Sequence, residues 1–146
     1  MSRKKESPNI KLTEVNGNSE DVDVLYQLLR ERDFSISHTS LPTFEEHKEF
    51  VKNNPYRIWY MVNLDSIPIG TIYLLKDNSI GLFLKKKYLE FTGTALSIVI
   101  KKHKPLKPIK SVRGKSFHIN TNPNDVDLIS ALNEYGMKHI QSTYSF

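Results

Sequence analysis

A chain of 146 residues is the size of one domain and can bury a single hydrophobic core. Hydrophobic residues at 38% and charged residues at 25% exclude a wholly disordered chain, and the lack of cysteine excludes disulfides, zinc–thiolate sites and a cysteine nucleophile. The 21 Lys and Arg against 16 Asp and Glu give a net charge of +5, which suits an anionic partner without choosing among nucleic acid, a membrane surface and a phosphorylated small molecule.

The beginning of the chain predicts a tail and then one domain. Residues 1–9 are basic and no apolar stretch follows them, so we expect a short disordered tail rather than a secretory signal. No apolar run approaches the roughly 20 residues of a membrane helix. We therefore expect a cytoplasmic protein without a membrane span, in which residues 10–146 form a single domain.

The N-terminal part predicts one strand and two helices. Residues 10–15 alternate between apolar and polar side chains before an Asn-Gly-Asn turn, which is typical of a strand. A helix capped by Ser19 or Asp21 follows. Thr43 and Glu46 have the spacing of a capping box and predict a second, short helix.

Three strand-like runs come next, at 57–64, 67–75 and 80–84, separated by polar turns at 65–66 and 76–79. The first run is apolar on both faces, which favours a central strand. Connections this short indicate an antiparallel meander.

The remaining segments alternate between helix and strand, at 92–103 (helix), 116–120 (strand), 125–135 (helix) and 137–144 (strand). The predicted fold class is therefore α/β (α+β), a mixed and mostly antiparallel central sheet flanked by helices. The predicted element order is β-α-α-β-β-β-α-β-α-β.

A stretch rich in Lys and Pro occupies residues 101–115. A solvated loop is one interpretation. Contact with a phosphate of a nucleotide cofactor, or with nucleic acid, is the other. The stretch lacks the interleaved aromatic residues of a single-strand binder, so we rank a nucleic acid partner last.

The junction between the strand at 80–84 and the next helix has the features of an anion site. The first N–H groups of a helix lack partners within the helix and point outward, where the helix dipole favours negative charge. Gly93 and Ala95 would let a diphosphate approach the main chain, and Lys85 to Lys87 lie nearby. A tight turn without a ligand is the alternative.

These segments resemble the GCN5-related N-acetyltransferase (GNAT) family, over the whole element order and over residues 59–144. Glu90 to Ala95 fits the spacing of that family's diphosphate motif, with Glu where Gln or Arg is usual. Residues 119–124, then a helix and Tyr135-Gly136-Met137, are similar to its Asn-containing motif followed by Gly-Phe.

The resemblance implies acetyl-coenzyme A as co-substrate and no metal. The pantetheine arm would lie beside the strand at 80–84, and the diphosphate would lie on the N–H groups of the following helix. The cofactor-binding residues it implies are Leu82, Phe83, Leu84, Phe91, Thr92, Gly93, Thr94, Ala95, Leu96 and Asn124.

The resemblance leaves the proton-transfer groups open. The strand at 80–84 offers no base, so the candidates are His38, His47 and Glu45, on the segment that usually forms the acceptor wall. Leu132 falls where many members keep a Tyr that protonates the departing thiolate. Tyr144 is the predicted replacement, with Tyr135 or solvent as alternatives.

Segments at 30–40, 45–47, 56–60 and 140–144 resemble the bacterial branch that acetylates nucleotide-linked amino sugars. This predicts an N-acetyltransferase that acts on the primary amine of a small molecule, an amino sugar, and is compatible with a homodimer. The alternative is a catalytically degenerate protein of the same fold that binds coenzyme A or a protein partner. Glu90 and Leu132 favour that alternative.

Overall fold

The computed structural model describes residues 8–32 and 40–146, within which one five-stranded sheet forms. In chain order the elements are β1 (Ile10–Glu14), α1 (Ser19–Arg30), α2 (Phe44–Lys52), β2 (Ile58–Leu64), β3 (Ile67–Leu74), β4 (Ser79–Leu84), a 3₁₀ helix (Lys86–Phe91), α3 (Thr92–Lys102), β5 (His118–Ile119) and α4 (Val126–Tyr135). The strands lie in the order β1-β2-β3-β4-β5, with β1 to β4 antiparallel and β5 parallel to β4. This mixed sheet flanked by helices confirms the predicted fold class.

Side-chain caps fix the first turns of the N-terminal helices. The hydroxyl of Thr43 accepts a hydrogen bond from the N–H of Glu46 at 3.2 Å, as the capping-box spacing predicts. α1 is capped by Asn18, whose side chain accepts from the N–H of Asp21 at 2.8 Å, and not by Ser19 or Asp21 as expected. The carboxylate of Asp21 instead accepts from a main-chain N–H before the helix.

The sheet separates two apolar layers, because successive residues of a strand point to opposite faces. Trp59 and Met61 of β2 pack in a cluster with the buried side chains of α1 and α2. Tyr60 and Val62 pack in a second cluster with the buried side chains of α3 and α4. β2 is thus buried on both faces, as predicted for a central strand.

The predicted final strand at 137–144 is not formed. After α4 the chain has no regular structure, and the side chain of Tyr144 is 92% exposed. Alternating sequence makes a strand only where a neighbour pairs with its N–H and C=O groups, and β5 is only two residues long. The element order therefore ends at α4.

Two kinds of feature are absent from residues 8–32 and 40–146. No helix there is long and apolar enough to cross a membrane. No group of three His, Asp or Glu side chains there is placed to hold a metal ion. The apolar faces of the four helices pack on the sheet instead.

Candidate functional site

A cleft opens where β4 and β5 diverge. The two strands pair only through Ser79 with His118 and Ile80 with Ile119, after which β5 ends and the chain continues to α4. β4 itself continues from Gly81 to Leu84. One edge of this second half of β4 is therefore left without a neighbouring strand.

The free edge presents the main-chain groups of Leu82 and Leu84. The carbonyl of Ser79 and the N–H of Lys85 both bond towards β3, each at 2.9 Å. Because this direction alternates along an antiparallel strand, the N–H and C=O groups of Leu82 and Leu84 point to the other side, into the cleft. An extended ligand could pair with them as a further strand would.

The cleft has a volume of about 190 Å³ and an uneven lining. Four leucines give it an apolar wall: Leu82, Leu84, Leu89 and Leu128. Its charged side chains come from two sides, Glu31, Arg32 and Lys85 towards α1 and Lys86, Asp125 and Asp127 towards α4. An acyl chain or an apolar arm fits the middle, and polar groups fit the two ends.

Tyr73 lies across Gly81 on the α1 side of the cleft. The two residues are partners across β3 and β4, and a Cβ atom at Gly81 would lie 1.9 Å from Cζ of Tyr73. The ring of Tyr73 also stacks on Tyr56, with centroids 3.9 Å apart. Burial first, and then the neighbouring Tyr73, raise the pKa of Tyr56 well above its usual value, so it remains a neutral phenol.

Arg32 lies beside this aromatic pair. Its guanidinium carbon is 5.3 Å from the centroid of the Phe83 ring, and both residues line the cleft. Its Nε atom is buried and has no hydrogen-bond partner in the described part of the chain. Glu31, the preceding residue, pairs instead with Lys85, at 3.2 Å between Oε2 and Nζ.

In the first turn of α3, where the diphosphate was predicted, Thr92 and Gly93 are in contact with neighbouring residues. The 3₁₀ helix runs directly into α3, and the N–H and the hydroxyl of Thr92 both donate to the carbonyl of Leu89. Gly93 faces the ring of Tyr135, whose Cδ2 would lie 3.0 Å from a Cβ added there. The hydroxyl of Tyr135 is 2.9 Å from that of Ser97, which holds α4 against α3.

A second pocket, between the 3₁₀ helix and α4, adjoins the cleft and shares Lys86, Leu89 and Asp127 with it. We call this pocket the outer end of the cleft. Glu90, Asp127 and Glu134 line this region together with Lys86. The Nζ of Lys86 is 3.5 Å from Oδ2 of Asp127, so one ion pair joins the two walls. Three carboxylates against one ammonium disfavour a phosphate group at this place.

Those residues predicted to transfer protons that the structure describes do not line the cleft. His47 is buried, with its Nε2 3.0 Å from the carbonyl oxygen of Val22. His38 lies outside the described residues. Glu45 is exposed in the first turn of α2, and the exposed Tyr144 does not line the cleft either. Glu31 and Asp125 do line it, and Asp125 also caps α4 by accepting from an N–H of the first turn.

The predicted cofactor-binding residues divide into two groups. Leu82, Phe83 and Leu84 line the cleft, whereas residues 91–96 and Asn124 do not. Within 91–96, the side chains of Thr92, Ala95 and Leu96 are buried in the α3 packing. The N–H of Asn124 bonds to the side chain of Asn122, at 2.9 Å, in the turn before α4.

Glu31, Arg32 and Tyr73 line the cleft but were not among the predicted site residues. Tyr73 had a signal, because a glycine inside a strand marks a place where another group approaches closely. Arg32 had none, since its position beside Phe83 depends on how α1 packs on the sheet.

The basic stretch at 101–115 lies away from the cleft, and none of its residues lines it. All of its lysines are exposed: Lys101, Lys102, Lys104, Lys107, Lys110 and Lys115. Arg113 bonds to the main-chain carbonyls of Lys107 and Lys76, at 2.7 and 3.0 Å. This placement favours a solvated loop over contact with a cofactor phosphate.

Neither a family model nor a curated protein sequence matches the chain. Solved structures do resemble it. A domain from Methanocaldococcus jannaschii has a TM-score of 0.70 and 17% identity, covering 94% of this chain and 93% of its own. The Campylobacter jejuni N-acetyltransferase PseH in complex with acetyl coenzyme A has a TM-score of 0.60 and 16% identity, covering 92% of each chain. RimL, a ribosomal L7/L12 α-N-protein acetyltransferase in complex with coenzyme A, has a TM-score of 0.63 and 13% identity, covering 87% of this chain and 78% of its own.

These similarities extend over most of the chain but rest on few identical residues. At such identities they show the fold alone. The chain has the fold of these acetyltransferases, as the resemblance in its sequence implied. What this chain does with that fold has to be inferred from the cleft.

Proposed function

We propose that the protein is an acetyl-coenzyme A-dependent N-acetyltransferase acting on the primary amine of a small molecule. The observation that carries this proposal is the free edge of β4, where Leu82 and Leu84 present main-chain groups to a cleft between diverging strands. Two of the similar structures are complexes with coenzyme A or acetyl coenzyme A. A cleft at a strand divergence in a shared fold is where the same ligand is best sought first.

The cleft fits the pantetheine arm of coenzyme A. The amide groups of that arm match the donors and acceptors of Leu82 and Leu84, and its apolar parts match the leucine wall. The diphosphate would follow the arm towards the N–H groups of the first turn of α3, where the ring of Tyr135 beside Gly93 bounds the space. Lys86 is the cation at the outer end of the cleft that would meet a phosphate.

Acetyl-coenzyme A, when bound, supplies an acetyl group activated as a thioester. One of the two N–H groups, of Leu82 or of Leu84, would donate to the thioester oxygen on which negative charge develops, while the other pairs with the arm. The carboxylate of Glu31, at the α1 end, would accept a proton from the amine, directly or through water. Tyr73 and Phe83 exclude water from the same end.

The acceptor that we propose is an amino sugar, on the sequence resemblance at 45–47 and 56–60. The side chains of Tyr73 and Phe83 line the α1 end of the cleft and would give a sugar apolar contacts there. A cytoplasmic location and a homodimer are part of the same proposal.

Calorimetric titration with acetyl-coenzyme A tests the cofactor. Asn120→Trp would place an indole in the cleft, whereas Ser116→Trp changes an exposed residue of the same segment outside it. We expect micromolar binding by the unmodified protein and by Ser116→Trp, and at least tenfold weaker binding by Asn120→Trp. Absence of binding by the unmodified protein would overturn the proposal.

Thiol release measured over a panel of amines then tests the reaction. The panel should contain amino sugars, polyamines and peptide amino termini, so that an amino-sugar preference can be refuted as well as supported. Release with an amino sugar above the rate of hydrolysis is the expected result.

A catalytically degenerate protein of the same fold is the second candidate. The Lys86–Asp127 ion pair and the neighbouring Glu90 and Glu134 favour it, since they make the outer end of the cleft less suitable for phosphate. Leu132 also favours it, because its side chain is buried in the core and supplies no acid. Binding of acetyl-coenzyme A without release of thiol for any amine would select this candidate.

A further inference from the structure

We infer that the α1 end of the cleft binds an anionic group, and that the acceptor therefore carries a carboxylate or a phosphate in addition to its amine. Arg32 is the residue that would bind this group. The inference rests on the proposed function for the identity of the ligand as an acceptor.

The position of Arg32 places its charge in the cleft. The residue lies just beyond the end of α1, and its guanidinium lies over the ring of Phe83, with both side chains in the cleft lining. A guanidinium stacked on a ring is held by its face, so its edge N–H groups remain available for hydrogen bonds in the plane.

The bonding of Arg32 is incomplete in the described residues. Its Nε is inaccessible to water and has no hydrogen-bond partner there. The adjacent carboxylate of Glu31 is paired with Lys85 instead. A donor of a charged group that is shielded from water without a partner is unfavourable. A carboxylate or phosphate in the cleft would bond to the edge of the guanidinium, and a small movement of the side chain would bring Nε into the two-pronged geometry that guanidinium prefers.

The charges around Arg32 support an anion over a cation. Among the side chains of residues 8–32 and 40–146 that line the α1 end, Glu31 and Lys85 offset each other, and the guanidinium of Arg32 has no carboxylate paired with it. A positive charge near the acceptor also lowers the pKa of its ammonium group, so more of the amine is in the neutral form that can attack.

Purely structural packing of Arg32 on Phe83 is the competing explanation. Arg32→Met tests it, because methionine keeps most of the apolar stem and can still pack on the ring, while it removes the charge and the N–H groups. Arg30→Met is the matched control, since Arg30 is the exposed last residue of α1 and does not line the cleft.

Three probes with the same amine on the same ring separate the sources of the anion: glucosamine, which has none, glucosamine 6-phosphate, and 2-amino-2-deoxyglucuronic acid, which has a carboxylate. We expect kcat/KM to be at least tenfold higher for one of the two anionic probes than for glucosamine. Arg32→Met should remove that preference mainly through KM, and Arg30→Met should retain it. Equal kcat/KM for the three probes, or an equal loss for all three in Arg32→Met, would overturn the inference.

Direct titration of the same probes, without acetyl-coenzyme A, separates this inference from the proposed function. Binding of an anionic probe that is tenfold weaker in Arg32→Met supports an anion site even if no amine is acetylated. Binding of the anionic probes no tighter than that of glucosamine contradicts the site even if acetyl-coenzyme A binds and turns over.

Discussion

The two ends of β4 are held in different ways. At the start of the strand, Asn78 is fully buried, and its side chain donates to the carbonyls of Leu106 and Gly114 and accepts from the N–H of Leu106, at 2.8–2.9 Å. Its own carbonyl accepts from the N–H of His118, at 3.1 Å. The anchored end, as we call residues 78–80 and their contacts, is thus bonded on both sides.

The open end, as we call residues 81–86, has no described strand along one edge. Two ion pairs join its lysines to residues on either side of the cleft. The side chains of the Glu31–Lys85 pair are 40% and 28% exposed, and those of Lys86–Asp127 are 78% and 53% exposed. Pairs this accessible to water contribute little to stability. β4 is therefore held firmly at its anchored end, whereas residues of its open end can be changed with little loss of stability. Different residues thus stabilise the fold and line the cleft.

The largest effect that we expect is at the anchored end. Asn78→Ala removes three part-buried hydrogen bonds and leaves three main-chain groups without their partner, and it puts alanine at a φ of +70° that asparagine tolerates better. Urea denaturation should show a loss of about 3–4 kcal/mol. The exposed Asn124→Ala should change stability by less than about 0.5 kcal/mol. A loss of under 1 kcal/mol for Asn78→Ala would mean that the end is not anchored by this side chain.

The boundary between the two ends gives the next effect. Gly81→Ala brings a Cβ into the ring of Tyr73, which cannot move freely because it is stacked on Tyr56. We expect a loss of about 1–3 kcal/mol in the same denaturation experiment. Gly114→Ala is the matched control, since nothing lies within 4 Å of its added Cβ. Equal stability of both variants would show that the aromatic pair yields easily.

Acid should lower the free energy of unfolding through His103, near the anchored end. Burial first, and then Arg57 and Lys102, lower the pKa of His103, which precedes the loop that Asn78 holds. The unfolded chain takes up this proton more readily, so stability is complete above about pH 6.5, the ordinary value, and decreases as the pH is lowered below it. The slope is at most about 1.4 kcal/mol per pH unit for one proton.

Urea denaturation of the unmodified protein and of His103→Gln, at a series of pH values from 7.5 to 5 as conditions, measures the slope of the free energy of unfolding against pH. Part of the slope should remain in the variant, because burial also lowers the pKa of His47. An unchanged slope in His103→Gln would assign the acid sensitivity to other groups.

The elements that could be predicted from sequence are those with local causes. The turn at Asp65-Ser66 has φ values of +47° and +71°, the left-handed geometry that joins tightly connected strands, and the cap at Thr43 needs only the next turn of its own helix. The strand predicted at 137–144 is absent. A strand forms only where a neighbouring strand pairs with its N–H and C=O groups, and the sequence of the segment alone does not show whether such a neighbour exists.

The site was predictable only in part for the same reason. Leu82 to Leu84 were placed by resemblance and do line the cleft. The approach of Tyr135 to Gly93 depends on the angle between α3 and α4, and that of Arg32 to Phe83 on the packing of α1. Neither leaves a pattern in the chain.

The smallest change in stability, and the clearest separation of the two ends, should come from Asp127→Asn. Its ion pair with Lys86 is largely exposed, so unfolding should change by less than about 0.5 kcal/mol. Removal of one carboxylate from the outer end of the cleft should nevertheless tighten acetyl-coenzyme A binding by about two- to fivefold at low salt, and less so at high salt, where charges are screened.

Asp23→Asn is the matched control, because this exposed carboxylate of α1 does not line the cleft. It should leave the dissociation constant unchanged in the same calorimetric titration. Tightening in Asp127→Asn alone, without loss of stability, would show that the open end can be adjusted independently of the fold. A loss above 1 kcal/mol would contradict the comparison, because the pair would then hold the cleft walls together as Asn78 holds the other end.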